Sequence, residues 1–205
     1  MSPLKGDCRT DVYVAALPDG ECDLPLYPEE RDRAVRETSN SDVRRERYFV
    51  WKLLEHAVSQ TLGLSLREVR PEMKDGRWTA RGFDFSISHG GGALAVAISG
   101  SSVGVDIEPL DGDSDCERIA RRFFNDGELS LYLSSDGQTR RETFLRIWTA
   151  KEAIFKSRAL SAFSPRDTDS RSARVHTETV TVSGRSCVLT VATEGEVVIH
   201  PETIL

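Results

Sequence analysis

The sequence has no run that approaches the roughly 20 consecutive apolar residues a membrane span needs. Its first twenty residues, MSPLKGDCRTDVYVAALPDG, hold no apolar core of the kind a secretory signal carries. A cytoplasmic protein without a membrane partner is the expectation. Cysteine is scarce: Cys8, Cys22, Cys116 and Cys187 stand far apart with no C-x-x-C spacing, so neither a zinc site nor a disulfide framework is indicated. An excess of basic residues is missing too. The formal net charge of −6 argues against a nucleic-acid partner and leaves local clusters, such as Arg44-Arg45-Glu46-Arg47, to meet a phosphorylated small molecule.

What is present suits a folded chain with a real core: 205 residues, 39% hydrophobic and 29% charged, enough for one large or two small domains. DVYVAAL (11–17) reads as a strand. From Ser41 to Leu62 the apolar spacing of Val43, Val50, Leu54 and Leu62 is helical, with Ser41 or Asp42 as cap and Gly63 as stop. SLRE (65–68) has capping-box spacing. FDFSISH (83–89) alternates as a half-buried strand and runs into Gly90-Gly91-Gly92; ALAVAIS (93–99) and VGVDIE (103–108) follow, joined by the turn GSS as a hairpin. A helix over 117–124 turns Ile119 and Phe123 towards the core. Another over 139–157 carries a Thr139/Glu142 capping box and the apolar stripe Phe144, Trp148, Phe155. Residues 164–174 read as a loop, and 175–182, 186–192 and 196–200 as strands. Trp51 and Glu55 recur as Trp148 and Glu152 at an offset of 97, and LAVA (94–97) recurs as LTVA (189–192) at an offset of 95. Either two short stretches coincide, or the chain is α+β with two similar halves, 1–100 and 101–205, packed face to face around a site.

The chemistry concentrates in two places. In the strand 103–108 side chains alternate, so Val103, Val105 and Ile107 share one face while Gly104, Asp106 and Glu108 share the other. Two carboxylates that close repel unless water, a proton or a cation intervenes. In the helix, Trp148, Glu152 and Lys156 lie roughly in line, with Lys151 one position round. Asp106, Glu108 and Glu152 together are the hard oxygen ligands that Mg²⁺ prefers and Mn²⁺ accepts, and Lys151 and Lys156 suit phosphate. The plainer alternatives are an exposed sheet face for the two strand acids and a solvated i,i+4 pair for Glu152 and Lys156. His89, ahead of three glycines, is either a phosphate donor or base, or a structural residue at a tight turn.

Three stretches, FSISHGGG (85–92), VGVDIEP (103–109), and RFFNDGE (122–128) followed by WTAKEAIFK (148–156), together resemble the 4′-phosphopantetheinyl transferases. Within that family the resemblance is to the monomeric two-repeat class that activates carrier proteins of peptide and polyketide synthesis. It implies two α+β halves related by a pseudo-twofold axis, with coenzyme A in the cleft between them. It further implies that Asp106, Glu108 and Glu152 are magnesium ligands, that Lys151 and Lys156 lie near the diphosphate, and that Ser88 and His89 contact the nucleotide end. Arg47, or else Arg44, matches the basic residue that meets the 3′-phosphate. The implied reaction moves phosphopantetheine from coenzyme A to a serine of an apo carrier protein and releases adenosine 3′,5′-bisphosphate. Glu152, Lys156 and His89 are the implied catalytic groups.

Two departures stand out. Where relatives carry Gly-Lys-Pro, this chain has Gly76-Arg77-Trp78, with Arg77 keeping the charge for a nucleotide contact. The segment after the last motif lysine, 157–165, has no glycine. A non-catalytic module that binds coenzyme A or a carrier domain is the alternative reading, and a Mg²⁺-dependent phosphohydrolase a third. Carrier proteins are usually acidic like this chain, so docking needs a local surface, for which 109–135 with Phe123, Phe124, Leu129 and Leu131 is the candidate.

Overall fold

The computed structural model describes residues 9–112, 115–158 and 162–202. Cys8 lies outside them; Cys22, Cys116 and Cys187 are thiols. The chain runs β1 (Arg9–Ala16), α1 (Glu29–Arg36), α2 (Ser41–Leu62), α3 (Leu66–Val69), β2 (Glu72–Lys74), β3 (Arg77–Thr79), β4 (Asp84–Gly90), β5 (Ala93–Ser99), β6 (Gly104–Pro109), α4 (Cys116–Phe123), α5 (Asp126–Ser134), α6 (Gly137–Ser157), β7 (Val175–Val182), β8 (Arg185–Ala192) and β9 (Glu196–Glu202). This is a mixed α+β fold. Its two larger sheets have the orders β4-β5-β1-β9 and β6-β8-β7, and β2 and β3 form a small third one.

Alternation along β1 and β5 sorts the core. Tyr13, Leu94, Val96 and Ile98 face α2, where Trp51, Leu54, Ala57 and Val58 pack on them. Val12, Val14, Ala93, Ala95 and Ala97 face the other large sheet and meet Val105, Ile107, Leu189 and Val191. Beyond that sheet lies α6, with Ala153 and Ile154 against Ala192, and Phe144, Leu145 and Ile147 near Val188. No helix among the described residues is long and apolar enough to cross a membrane.

The expected 93–108 hairpin does not form. β5 pairs with β4 and β1, while β6 crosses to the other sheet and pairs with β8, Gly104 opposite Ala192 and Asp106 opposite Thr190. The reason is side-chain volume: the alanines of β5 make a thin face on which Val105 and Ile107 bury completely, whereas strand-beside-strand pairing would leave them uncovered. Two caps also differ from expectation. Asn40, not Ser41 or Asp42, caps α2, its Oδ1 accepting from the amides of Asp42 and Val43 at 3.0 Å each. α6 starts at Gly137, two residues earlier than the spacing suggests, so Thr139 sits inside the helix and Glu142 pairs with Arg146 at 2.8 Å. The expected capping box at Ser65 and Glu68 forms. The last strand leaves the segment 101–205 in space: β9 runs parallel to β1 and completes the first sheet.

Candidate active site

The acidic face of β6 is largely covered, with Asp106 buried and Glu108 half-buried, because α6 crosses over its start at Gly104. A Cβ added to Gly104 would lie 1.9 Å from the Ala153 carbonyl oxygen and 2.6 Å from the Ser157 amide nitrogen. Only a glycine admits the helix that close. Asp106 is therefore 4% exposed. Its Oδ1 accepts from Ser88 Oγ at 2.7 Å and from Lys156 Nζ at 2.8 Å, and the ammonium also donates to the Val105 carbonyl at 3.1 Å. Its Oδ2 is buried with no hydrogen-bond partner.

Two further carboxylates stand near Asp106, and burial weighs on both. Burial first, then the Asp106 carboxylate, pushes Glu108 up to about 7, against the pull of Lys156. Glu152 rises to about 7 for the same reasons in the same order. Gly90 makes room for the Glu108 carboxylate: a Cβ there would meet Glu108 Oε2 at 3.2 Å and the Ile107 carbonyl at 3.1 Å. Asp106 acts on both glutamates and Glu152 also on Glu108, yet among the described residues no three His, Cys, Asp or Glu side chains are gathered at distances that would hold a metal ion. The fit to a divalent cation rests on the unpartnered Asp106 oxygen and on an all-oxygen donor set.

Of the two lysines, the fold brings one to the acids. Lys156 lies on the face of α6 turned towards β6. Lys151, about 100° further round the helix from Glu152, points the other way and is completely buried. Its ammonium pairs with Glu128 Oε2 at 2.6 Å and donates to the Pro165 carbonyl at 2.7 Å and to the Thr168 carbonyl.

His89 sits across from α2, with Nδ1 3.1 Å from Glu46 Oε2. Burial lowers its pKa, Glu46 opposes that, and the nearby cations Lys156 and Arg31 add to it. Arg31 of α1 carries no motif that marks it in the sequence. It stacks over the Trp51 ring at 4.7 Å and donates Nη2 to the Arg47 carbonyl at 2.6 Å, while its Nε is buried without a partner. Burial, then Arg47, brings it down to about 10. Arg47 itself is exposed and donates to Thr38 Oγ1 at 3.1 Å. Arg44 lines a cavity of about 500 Å³ with Cys22, Arg36, Arg45 and Tyr48. Arg77 is committed to Asp84, at 2.8 Å to each oxygen, and to the Phe85 and Val103 carbonyls. It ties β3 to β4 and β6 and is not brought to the carboxylates. Glu46 and Glu128 are equally hard to pick out by sequence. Glu46 stands in a run that reads as basic, and Glu128 closes an ordinary capping box with Asn125.

A family model described as the 4′-phosphopantetheinyl transferase superfamily matches residues 102–191, from the start of β6 nearly to the end of β8. The 4′-phosphopantetheinyl transferase AcpT of Escherichia coli K12 is 32% identical over 153 residues, 71% of this chain and 72% of that protein. The transferase psf-1 of Bacillus pumilus is 30% identical over 127 residues, 56% of this chain, and the transferase HetI of Nostoc sp. is 34% identical over 82 residues, 40% of this chain. The matched segment spans 35% of HetI and 52% of psf-1. Matched across more than two thirds of its own length and of AcpT's, this chain belongs to the 4′-phosphopantetheinyl transferase superfamily.

Proposed function

We propose that the protein transfers the 4′-phosphopantetheine group of coenzyme A to a serine hydroxyl of an apo acyl or peptidyl carrier protein and releases adenosine 3′,5′-bisphosphate. The observation that supports this most is the buried, unpartnered Oδ2 of Asp106 beside two carboxylates of raised pKa. Asp106, Glu108 and Glu152 are the residues that would hold Mg²⁺, or Mn²⁺. The ion would supply positive charge to the diphosphate oxygens and a template for in-line attack. Lys156, already within reach of Asp106 and Ser88, stabilises charge that gathers on the leaving phosphate. Arg31, with an unused buried N–H, and the neighbouring Arg47 and His89 meet the phosphates at the nucleotide end. Ser88 keeps Asp106 oriented. Glu152 orients or deprotonates the attacking serine; bound to a cation its pKa falls, which favours the orienting role.

We read the two helix-covered sheets as duplicated halves related by a pseudo-twofold axis. In support, α2 and α6, of 22 and 21 residues, each cover one sheet with a tryptophan and a glutamate in matching places. One chain then supplies both walls of the cleft, so the protein acts as a monomer. The test is mass spectrometry of apo carrier proteins incubated with coenzyme A, Mg²⁺ and the protein. A phosphopantetheine mass increment that disappears with a chelator and with Asp106→Ala is the expected result. Coenzyme A consumed without a carrier, or bound without any transfer, refutes it.

A further inference from the structure

The ion pair between Lys151 and Glu128 has no part in the chemistry proposed above, and its side chains are 0% and 2% exposed. Charges removed from water to this extent are no more stabilising than apolar residues of similar volume. What the pair offers instead is direction. The Lys151 ammonium donates to the Pro165 and Thr168 carbonyls and lies 2.6 Å from Glu128 Oε2 as an ion pair. Both Glu128 oxygens are used as well: Oε1 accepts from the Ser170 amide at 2.8 Å, and Oε2 from the Asn125 amide at 3.0 Å. The pair thus joins the start of α5, the loop 165–170 and the part of α6 that carries Glu152 and Lys156. Completely buried among these oxygens, Lys151 is not presented to a diphosphate.

We infer that Glu128 and Lys151 are positioning residues that set the rotation of α6 about its own axis and so aim Glu152 and Lys156 at Asp106; this rests on reading the site as a transferase. Two of the contacts that hold α6, beside the Thr149–Thr190 hydrogen bond of 2.7 Å to β8, divide the task. The Gly104 contact sets how close the helix comes to β6, but a position without a side chain puts no constraint on rotation. The hydrogen bonds that hold the buried pair to the Pro165 and Thr168 carbonyls and to the Asn125 and Ser170 amides do, because hydrogen bonds weaken steeply with angle while apolar contact is indifferent to it. At roughly 6 Å from the helix axis, a rotation of about 10° moves a side-chain end by about 1 Å. Such a displacement costs on the order of a hundredfold in rate.

The experiment compares Lys151→Met, Glu128→Leu and the double variant with the wild type. It reads thermal unfolding, calorimetric binding of coenzyme A and of Mn²⁺, and the kcat and KM of transfer. The double variant is expected to fold but to melt below wild type, because the Ser170 and Asn125 amides lose their acceptor, and to bind coenzyme A within about twofold. Its kcat should fall on the order of ten- to a hundredfold, and its Mn²⁺ affinity should weaken because Glu152 is misaimed. A double variant that is folded and fully active overturns the inference, since a purely structural pair is replaceable. Loss of coenzyme A affinity also overturns it and makes Lys151 a ligand. If the double variant does not fold, Glu128→Asp takes its place, keeping the charge and shortening its reach: reduced kcat at unchanged KM supports the inference, and wild-type kcat overturns it. Should the wild type itself transfer nothing to any carrier, the transferase reading fails separately, and the Mn²⁺ affinity of the double variant still decides whether the pair aims Glu152.

Discussion

Gly104→Ala changes one hydrogen to a methyl group at the point where α6 lies on β6. The new Cβ would stand 1.9 Å from the Ala153 carbonyl oxygen and 2.6 Å from the Ser157 amide nitrogen, both backbone atoms of one helix end. Real contacts of this type start near 3.0 Å, so α6 has to retreat by about 1 Å or tilt. Overpacking of this kind costs about 1–3 kcal/mol. For a chain of this size that is a fall in Tm of roughly 3–10 °C, so the variant stays folded at 25 °C. The same retreat draws Glu152 and Lys156 away from Asp106, and a misplacement of about 1 Å lowers kcat on the order of a hundredfold. The assays are differential scanning calorimetry and transfer to an apo carrier, corrected for folded protein. A wild-type Tm refutes the close helix–strand contact. A lowered Tm with full kcat refutes the claim that this contact places the catalytic groups.

The remaining expectations concern charge and caps. Glu108 and Glu152 have folded pKa values near 7 against 4.5 unfolded; between these values the folded state holds protons that the unfolded state has released, so the metal-free protein loses stability as pH rises through that window. Thermal unfolding with a chelator should show this decline, and Mn²⁺ should raise Tm more at about pH 8 than at about pH 5.5; equal rises at both refute the assignment of these acids to a cation. Arg31→Leu should raise the KM for coenzyme A about ten- to a hundredfold through lost charge-assisted hydrogen bonds, with kcat little changed; an unchanged KM removes Arg31 from the nucleotide end. Ser65→Ala removes the α3 capping box, costing about 1 kcal/mol of stability in chemical denaturation, and leaves transfer untouched.

Local pattern was enough for much of this. Alternation in β4, β5 and β6, the helical period of α2 and the Trp148-Glu152-Lys156 row are properties of neighbouring residues, and each appears where its spacing puts it. The face shared by Gly104, Asp106 and Glu108 follows from strand geometry alone. Whether that face met water or a helix did not, since Ala153 and Ser157 reach Gly104 from about fifty residues away. Long-range choices went the same way. The partner of β6 is decided by how alanine and valine faces fit across two sheets, and the first sheet is completed by β9, the last strand of the chain.

The sequence by itself determined which residue types could do phosphate chemistry, because carboxylates, lysines and glycines at strand and helix spacing constrain their own neighbourhood. Only the tertiary structure separated Lys151, buried against Glu128, from Lys156, held at Asp106, brought Arg31 and Glu46 near His89, and engaged Arg77 with Asp84. The physical reason is that a charged side chain's role depends on which opposite charges and carbonyls surround it once water is excluded. Those neighbours come from segments that the order of the chain does not bring together.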